Sequence, residues 1–371
     1  MKKAAFVAST YRHIQAFHMP YLLLLQRYGY EIHVFAREDE AKRIIRDANV
    51  MCHDIPIQRS PFHWENWRAF RELLKRFHAE SFDLVHVHTP VAGILGRAAA
   101  GLSNVPNVLY TAHGFHFFRG APLLHWILYY PLEYLMARLT DHLIVINEED
   151  YDLAQRLPVR GQVHYVPGVG LDVASYQLQD GDGARQRLRK ELGICKEDFV
   201  IVCIAEFTAN KNQMQLIHAV RLLKTRGKHV KCLLVGQGET QRQVREQAKR
   251  QGLESDVFFL GTRLDIAEIL AAADVCALVS LREGLPRSLM EAMACGKPIV
   301  ATRIRGNRNL VVHEETGFLV TPGNAQETAD AMVRLHASPE LCATMGRKSK
   351  ILSKSLDLSV ILAKMERIYL S

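Results

Sequence analysis

Glu283 and Glu291 stand seven residues apart in the run Glu283-Gly-Leu-Pro-Arg-Ser-Leu-Met-Glu291. Gly284-Leu285-Pro286 reads as a tight turn, and residues 287–295 as a short helix closed by Gly296. The unsatisfied amides at such a helix start favour an anion, and the helix dipole adds to the attraction. Glu283 then lies in the loop at the mouth, and Glu291 faces the same ligand about one helical turn further in. A phosphate at the amides with a hydroxyl-bearing ring on each side would engage all three groups.

Lys211 follows an apolar run in Phe207-Thr-Ala-Asn-Lys211. A cation there would meet a diphosphate at the C-terminal edge of a sheet; the plain alternative is a surface lysine ahead of a helix. Gly236-Gln-Gly238 follows the next apolar run. Residue 241 is Gln, so the glycine fingerprint of dinucleotide binding is incomplete, and a simple chain turn explains the pair equally well. His86 and His88 end one run, while His113 and His116 follow another. Four histidines raise the question of zinc. His86 and His88 share one strand face, however, and no nearby cysteine or carboxylate completes a tetrahedral set, so no metal is expected.

The elements that must position these groups alternate along the chain. Candidate strands at residues 4–9, 31–36, 84–88, 107–112, 143–146 and 164–166 are separated by amphipathic stretches. A second set follows at 200–205, 231–235, 257–260, 275–279, 298–301 and 318–320. This rhythm predicts two doubly wound parallel α/β sheets with both faces covered. The break is placed between Gly168 and Glu191, where the Asp-, Gly- and Gln-rich stretch 176–184 lies, and the domains are taken as 1–175 and 176–355 with a final helix in 356–371. The length of 371 residues suits two domains, and 48% hydrophobic with 23% charged residues describes a globular enzyme. Seven scattered cysteines without a C-x-x-C fit a reducing, cytoplasmic setting. Met1-Lys-Lys leads directly into a strand-like run rather than a signal sequence, and no window is apolar enough to span a membrane. The net charge of +8 calls for an anionic partner. No recognition motif supports nucleic acid, which leaves nucleotide diphosphates and anionic lipid.

In EGLPRSLMEAMACGKPIVAT the chain resembles the retaining, nucleotide-sugar-dependent glycosyltransferases of GT-B architecture that carry an E-x7-E motif, glycosyltransferase family 4. The likeness runs from about Ala4 to Val320. It implies two Rossmann-like domains facing each other across a cleft, the second binding a nucleotide-sugar, taken as a UDP-sugar. By resemblance Glu283 contacts the donor sugar hydroxyls, Glu291 the ribose and Lys211 the diphosphate. The amides of Gly284, Leu285, Ser288 and Leu289 lie near sugar and diphosphate, Gly236 and Gly238 near the base, and His113 beside the sugar. The family usually places a cation soon after the strand where Glu206 stands here, so Arg287, Arg305 or Arg308 is needed to complete the clamp. The first loop lacks the Gly-Gly turn of many relatives. Its Arg12, His13 and His18 resemble the branch acting on polyprenyl-pyrophosphate-linked sugars in bacterial surface polysaccharide synthesis, and they suit an anionic acceptor. His86 and His88 would orient the acceptor or simply pack. The reaction implied is retaining glycosyl transfer without metal or cofactor.

The aromatic stretch 115–138 holds Trp126, Tyr129, Tyr130 and Tyr134 between Arg119 and Arg138. It reads as an interfacial membrane segment or as a core helix, the former being favoured, with the chain attached peripherally to the inner face of the plasma membrane. Two other functions remain open at this stage. One is a nucleotide-sugar 2-epimerase of the same architecture, and the other a non-catalytic glycosyltransferase-like subunit, suggested by Glu206.

Overall fold

The computed structural model describes residues 1–58 and 60–371, and its chain divides into two compact units. The first comprises Met1–Val169 with Ser359–Ser371, the second Gly170–Leu358. The break therefore falls within the 168–191 window read from composition, ahead of the 175–176 boundary taken inside it. The reason is backbone pairing: Leu171 N–H donates to the Leu356 carbonyl at 3.0 Å and the Leu358 amide donates to Leu171 at 2.9 Å. Residues 171–173 and 356–358 are thus laced into the second unit, and only the segment from Ser359 returns to the first.

The first sheet contains β1 (Lys2–Thr10), β2 (Tyr30–Arg37), β3 (Met51–Asp54), β4 (Leu84–His88), β5 (Asn107–Ala112), β6 (His142–Val145) and β7 (Gln162–Tyr165). Its order is β3-β2-β1-β4-β5-β6-β7, and every pairing is parallel. The second sheet contains β8 (Phe199–Ile204), β9 (Val230–Val235), β10 (Val257–Gly261), β11 (Val275–Leu278), β12 (Ile299–Thr302) and β13 (Gly317–Val320). It is ordered β10-β9-β8-β11-β12-β13, again all parallel. The edge strand β3, Met-Cys-His-Asp, was not anticipated. It has no apolar run because it is only half covered.

Each sheet is packed on both faces, which is why its strands are nearly continuous runs of apolar residues. On one face of the first sheet Val85, Val87 and Val108 meet Ala69, Leu73 and Phe77 of helix Glu65–Glu80 and Ala99 of helix Pro90–Leu102. On the other, Phe6, Leu84 and Leu109 meet Leu22 and Leu25 together with Ile361, Met365 and Tyr369 of the C-terminal helix. The strand order reverses between β1 and β4 and again between β8 and β11. Crevices outside the C-terminal ends of strands at such reversals are where open α/β sheets bind ligands. The residues singled out above gather at those two places.

Candidate active site

In the second unit the segment after β8 and the segment after β11 are tied to each other. Leu281 N–H donates to the Asn210 carbonyl at 2.8 Å, and Asn210 Nδ2 donates to the Arg282 carbonyl at 2.9 Å. This lacing sets Lys211 Nζ against Glu283 Oε1 at 2.5 Å, with side-chain exposures of only 23% and 10%. A third segment supports the loop from below. The helical turn Arg305–Arg308 follows β12, and a Cβ at Gly306 would lie 2.4 Å from the Gly284 carbonyl oxygen. Only glycine permits that approach. Arg305, which is buried, donates through Nε to the Glu283 carbonyl at 3.3 Å. Of the three arginines considered for the missing cation, Arg305 is therefore fixed to the Glu283 loop. Arg287 instead turns back toward Glu291, and Arg308 is exposed. Glu206 is exposed just past β8.

The helix after the turn spans Arg287–Ala294, preceded by Pro286, and no side chain caps its start. The amides of Arg287 and Ser288 thus open the helix as an anion-attracting end. Glu291 is buried on this helix, its Oε1 accepting from the Tyr176 hydroxyl at 2.8 Å and from Arg287 Nε at 3.1 Å. Burial holds its carboxyl above the ordinary range, against the smaller opposing pull of Tyr176 and Arg287. Tyr176 was missed in the sequence, where it looks like one residue of a polar linker. Gly236 and Gly238 take φ of +133° and +154°, and a Cβ on either would strike the carbonyl oxygen of Ala205 or Phe207 at 2.1 or 2.3 Å. The pair therefore turns the chain tightly against the segment that carries Lys211.

At the reversal of the first sheet a different chemistry collects. Thr10 Oγ1 accepts from the His13 amide and starts helix Tyr11–Phe17; the chain then breaks at His18 before helix Met19–Arg27, which has Pro20 in its first turn. The break brings His13 and His18 to one point, with their Nε2 atoms 3.3 Å apart. His88 ends β4 and stacks on His18 with ring centroids 3.7 Å apart, and His113, just past β5, stands edge-on to His13 at 5.0 Å. Burial holds the imidazoles neutral: His13 is pulled down to about 4, and His18, His88 and His113 lie well below their usual value. His86 is different. Its ring nitrogens are engaged by the Tyr369 hydroxyl at 2.9 Å and Thr111 Oγ1 at 2.8 Å, so it packs and fastens the C-terminal helix rather than facing a ligand. His116 packs on Tyr129, and Arg12 is exposed, its backbone amide donating to Asp39.

Helix Leu123–Ala137 corrects the aromatic reading. Trp126, Tyr129, Tyr130 and Tyr134 pack against the first unit's core, and Trp126 Nε1 donates to the Phe118 carbonyl at 3.3 Å. The outward side is aliphatic, formed by Leu123, Leu124, Ile127 and Leu128. The helix is anchored by a buried pair in which the Arg97 guanidinium donates to the Glu133 carboxylate at 2.5 and 3.1 Å. Among the described residues no helix is long and apolar enough to cross a membrane.

Two parallel-sheet α/β units with carboxylates and a lysine gathered at the reversal of the second sheet define the GT-B class of fold. Residues 184–351 match the family model described as glycosyl transferases group 1, and residues 4–147 the one described as glycosyl transferase 4-like. The putative glycosyltransferase EpsD of Bacillus subtilis (strain 168) is 38% identical over 352 residues, 94% of this chain and 91% of that protein. The Escherichia coli UDP-Gal:alpha-D-GlcNAc-diphosphoundecaprenol alpha-1,3-galactosyltransferase is 29% identical over 319 residues, 84% of this chain and 81% of that one. Anabaena HepE, whose structure was determined with UDP and glucose, superimposes with a TM-score of 0.82 at 22% identity, covering 100% of this chain and 99% of its own. The chain belongs to the group 1 glycosyltransferases, and it is a transferase.

Proposed function

We propose that the chain transfers a sugar, with retention of anomeric configuration, from a UDP-sugar to a sugar carried on a polyprenyl diphosphate, in bacterial surface polysaccharide synthesis. The observation that carries this reading is the Lys211–Glu283 pair beside the uncapped start of helix Arg287–Ala294. The helix amides, Lys211 and Arg305 supply positive potential for the diphosphate, so charge growing on the leaving group is stabilised without a metal ion at that position. Glu283 then accepts from sugar hydroxyls and Glu291 from the ribose, with Tyr176 and Arg287 holding the Glu291 carboxylate in place. By the family resemblance His113 serves the donor sugar, while Arg12, His13 and His18 after β1, together with His88 at the end of β4, receive the acceptor.

The acceptor class rests on the Escherichia coli relative, whose name specifies UDP-Gal and a diphosphoundecaprenol-linked GlcNAc. Attachment to the inner membrane surface rests on the exposed aliphatic side of helix Leu123–Ala137 together with the net charge of +8. The test is incubation of the purified chain with a panel of radiolabelled UDP-sugars and membrane extract. Label passing to lipid supports the reading. Conversion of the nucleotide-sugar alone would indicate an epimerase, and neither outcome a subunit without catalysis.

A further inference from the structure

Two of the three tryptophans stand in solvent at the start of helix Glu65–Glu80, a place that neither donor nor acceptor binding uses. Trp64 and Trp67 are 65% and 64% exposed, and Phe62 just ahead of them is 83% exposed. Single apolar side chains on a surface are ordinary, whereas three large rings gathered within six residues mark a contact surface. The helix explains their direction. Its Ala69, Leu73 and Phe77, four residues apart, are buried in the core of the first unit. Trp64, Arg68, Arg71 and Lys75 recur at helical spacing on the opposite side, and all four are exposed. The Arg68 guanidinium lies 5.7 Å from the centre of the Trp64 ring, so cation and aromatic form one stripe. Glu72 and Arg76 flank the stripe and offset each other in charge.

The place of this stripe in the first unit says what it meets. In a parallel α/β unit the crossover helices run back against the strands, so each begins beside the strands' C-terminal ends. Helix Glu65–Glu80 follows β3, helix Leu123–Ala137 follows β5, and both pack on helix Pro90–Leu102 between them. Phe62, Trp64 and Trp67 therefore lie on the same side and at the same end of the unit as the exposed Leu123, Leu124 and Ile127. We propose that the start of helix Glu65–Glu80 is a second seat on the bilayer, one that selects anionic lipid headgroups. The rings enter the headgroup layer, and Arg68, Arg71 and Lys75 lie over its phosphates. This deepens the peripheral attachment proposed above, which rests on the aliphatic side of helix Leu123–Ala137. An aliphatic wedge by itself takes neutral and anionic bilayers alike, whereas a cationic stripe beside aromatic rings makes attachment depend on headgroup charge. Two seats on either side of helix Pro90–Leu102 also fix the unit's orientation. They turn the strand ends toward the lipid, where a polyprenyl-linked acceptor carries its diphosphate.

The test sediments the full-length protein with phosphatidylcholine vesicles, with and without phosphatidylglycerol, and follows tryptophan emission when the lipid is brominated. The parent should bind the phosphatidylglycerol vesicles and lose emission to the bromine. Arg71→Glu with Lys75→Glu should weaken that binding on the order of 30-fold, since each basic residue at an anionic surface contributes about fivefold. Trp64→Ser with Trp67→Ser should abolish the quenching, leaving only Trp126, which packs on the core. All four side chains are exposed, so both double variants should melt with the parent. A lowered melting temperature in the tryptophan variant would return the rings to the core and overturn the proposal. Parent binding that is indifferent to phosphatidylglycerol also overturns it, as does equal binding by the parent and both variants. If Leu124→Ser with Ile127→Ser still releases the protein in that last case, attachment through helix Leu123–Ala137 survives alone. A parent that binds neither vesicle overturns both.

Discussion

Replacing Glu283 by Ala should separate catalysis from nucleotide binding. In the structure Lys211 Nζ and Glu283 Oε1 are 2.5 Å apart and mostly shielded from water. At an effective dielectric of about 20 their attraction is on the order of 6–7 kcal/mol before desolvation, and a charge-assisted bond of this kind nets roughly 1.5–3 kcal/mol. A donor that places its diphosphate on Lys211 must therefore break a contact of that size and replace it. With Ala at 283 nothing has to be broken, so UDP should bind as well as to the parent, or up to about tenfold tighter. Transfer should fall below detection, because the sugar hydroxyls lose their acceptor. Glu291→Ala should do the reverse for nucleotide, weakening UDP by roughly 1.5–3 kcal/mol, or about 10–150-fold. Isothermal calorimetry with UDP and radiolabelled transfer assays read both effects. If the two variants lose UDP affinity equally, the division of roles between the carboxylates is refuted.

Four further outcomes are expected. Lys211→Ala should raise the donor KM and lower kcat together, since in the proposed mechanism the lysine acts on charge that grows during the reaction; unchanged kinetics would move that role to Arg305. Gly306→Ala forces a methyl to within 2.4 Å of the Gly284 carbonyl oxygen, and about 1–3 kcal/mol of strain should shift the Glu283 loop and cut transfer, while a fully active variant would show that the loop yields freely. His86, pulled by burial from 6.5 to about 3, contributes stability above its ordinary value that is lost as pH falls toward the folded one. By pH 5 that loss is on the order of 2 kcal/mol, so denaturant unfolding at pH 7 and pH 5 should show a drop of about that size, and equal stability at the two pH values would refute it. Leu124→Ser with Ile127→Ser should reduce co-sedimentation with anionic vesicles without lowering the melting temperature, whereas Trp126→Ser with Tyr130→Ser should lower melting; the opposite pattern would return the aromatics to the lipid side.

The alternation of buried runs carried most of the architecture, because parallel strands covered on both faces have little choice of residue type. Strands β4 and β5 coincide with the runs at 84–88 and 107–112, whereas β3, half exposed and without a β-branched residue, left no such trace. Glu283 and Glu291 were legible because their spacing, the turn and the helix lie in one local stretch. Tyr176 was not, since its hydroxyl reaches Glu291 across 115 positions of sequence. The histidines divide in the same way. A two-residue period puts His86 and His88 on one face, yet nothing local reveals that Tyr369, 283 positions later, engages His86. Nor does it show that a helix break carries His18 onto the His88 ring. The direction of the aromatic helix was likewise decided by what lies beneath it, including the Arg97–Glu133 pair.

On the proposed reading, the contact between Lys211 and Glu283 leaves the donor site self-satisfied, and that has a consequence for what the site ignores. Free phosphate or pyrophosphate, abundant in any cell, could take the lysine only by leaving a shielded carboxylate without a partner. A free sugar could take the carboxylate only by stranding the ammonium. Each half-ligand thus meets a penalty that cancels much of its own attraction. A molecule that joins an anion to a ring of hydroxyls satisfies both groups in one event. On that reading the pair would work as a coincidence detector, answering more strongly to the covalent union of phosphate and sugar than to either part by itself.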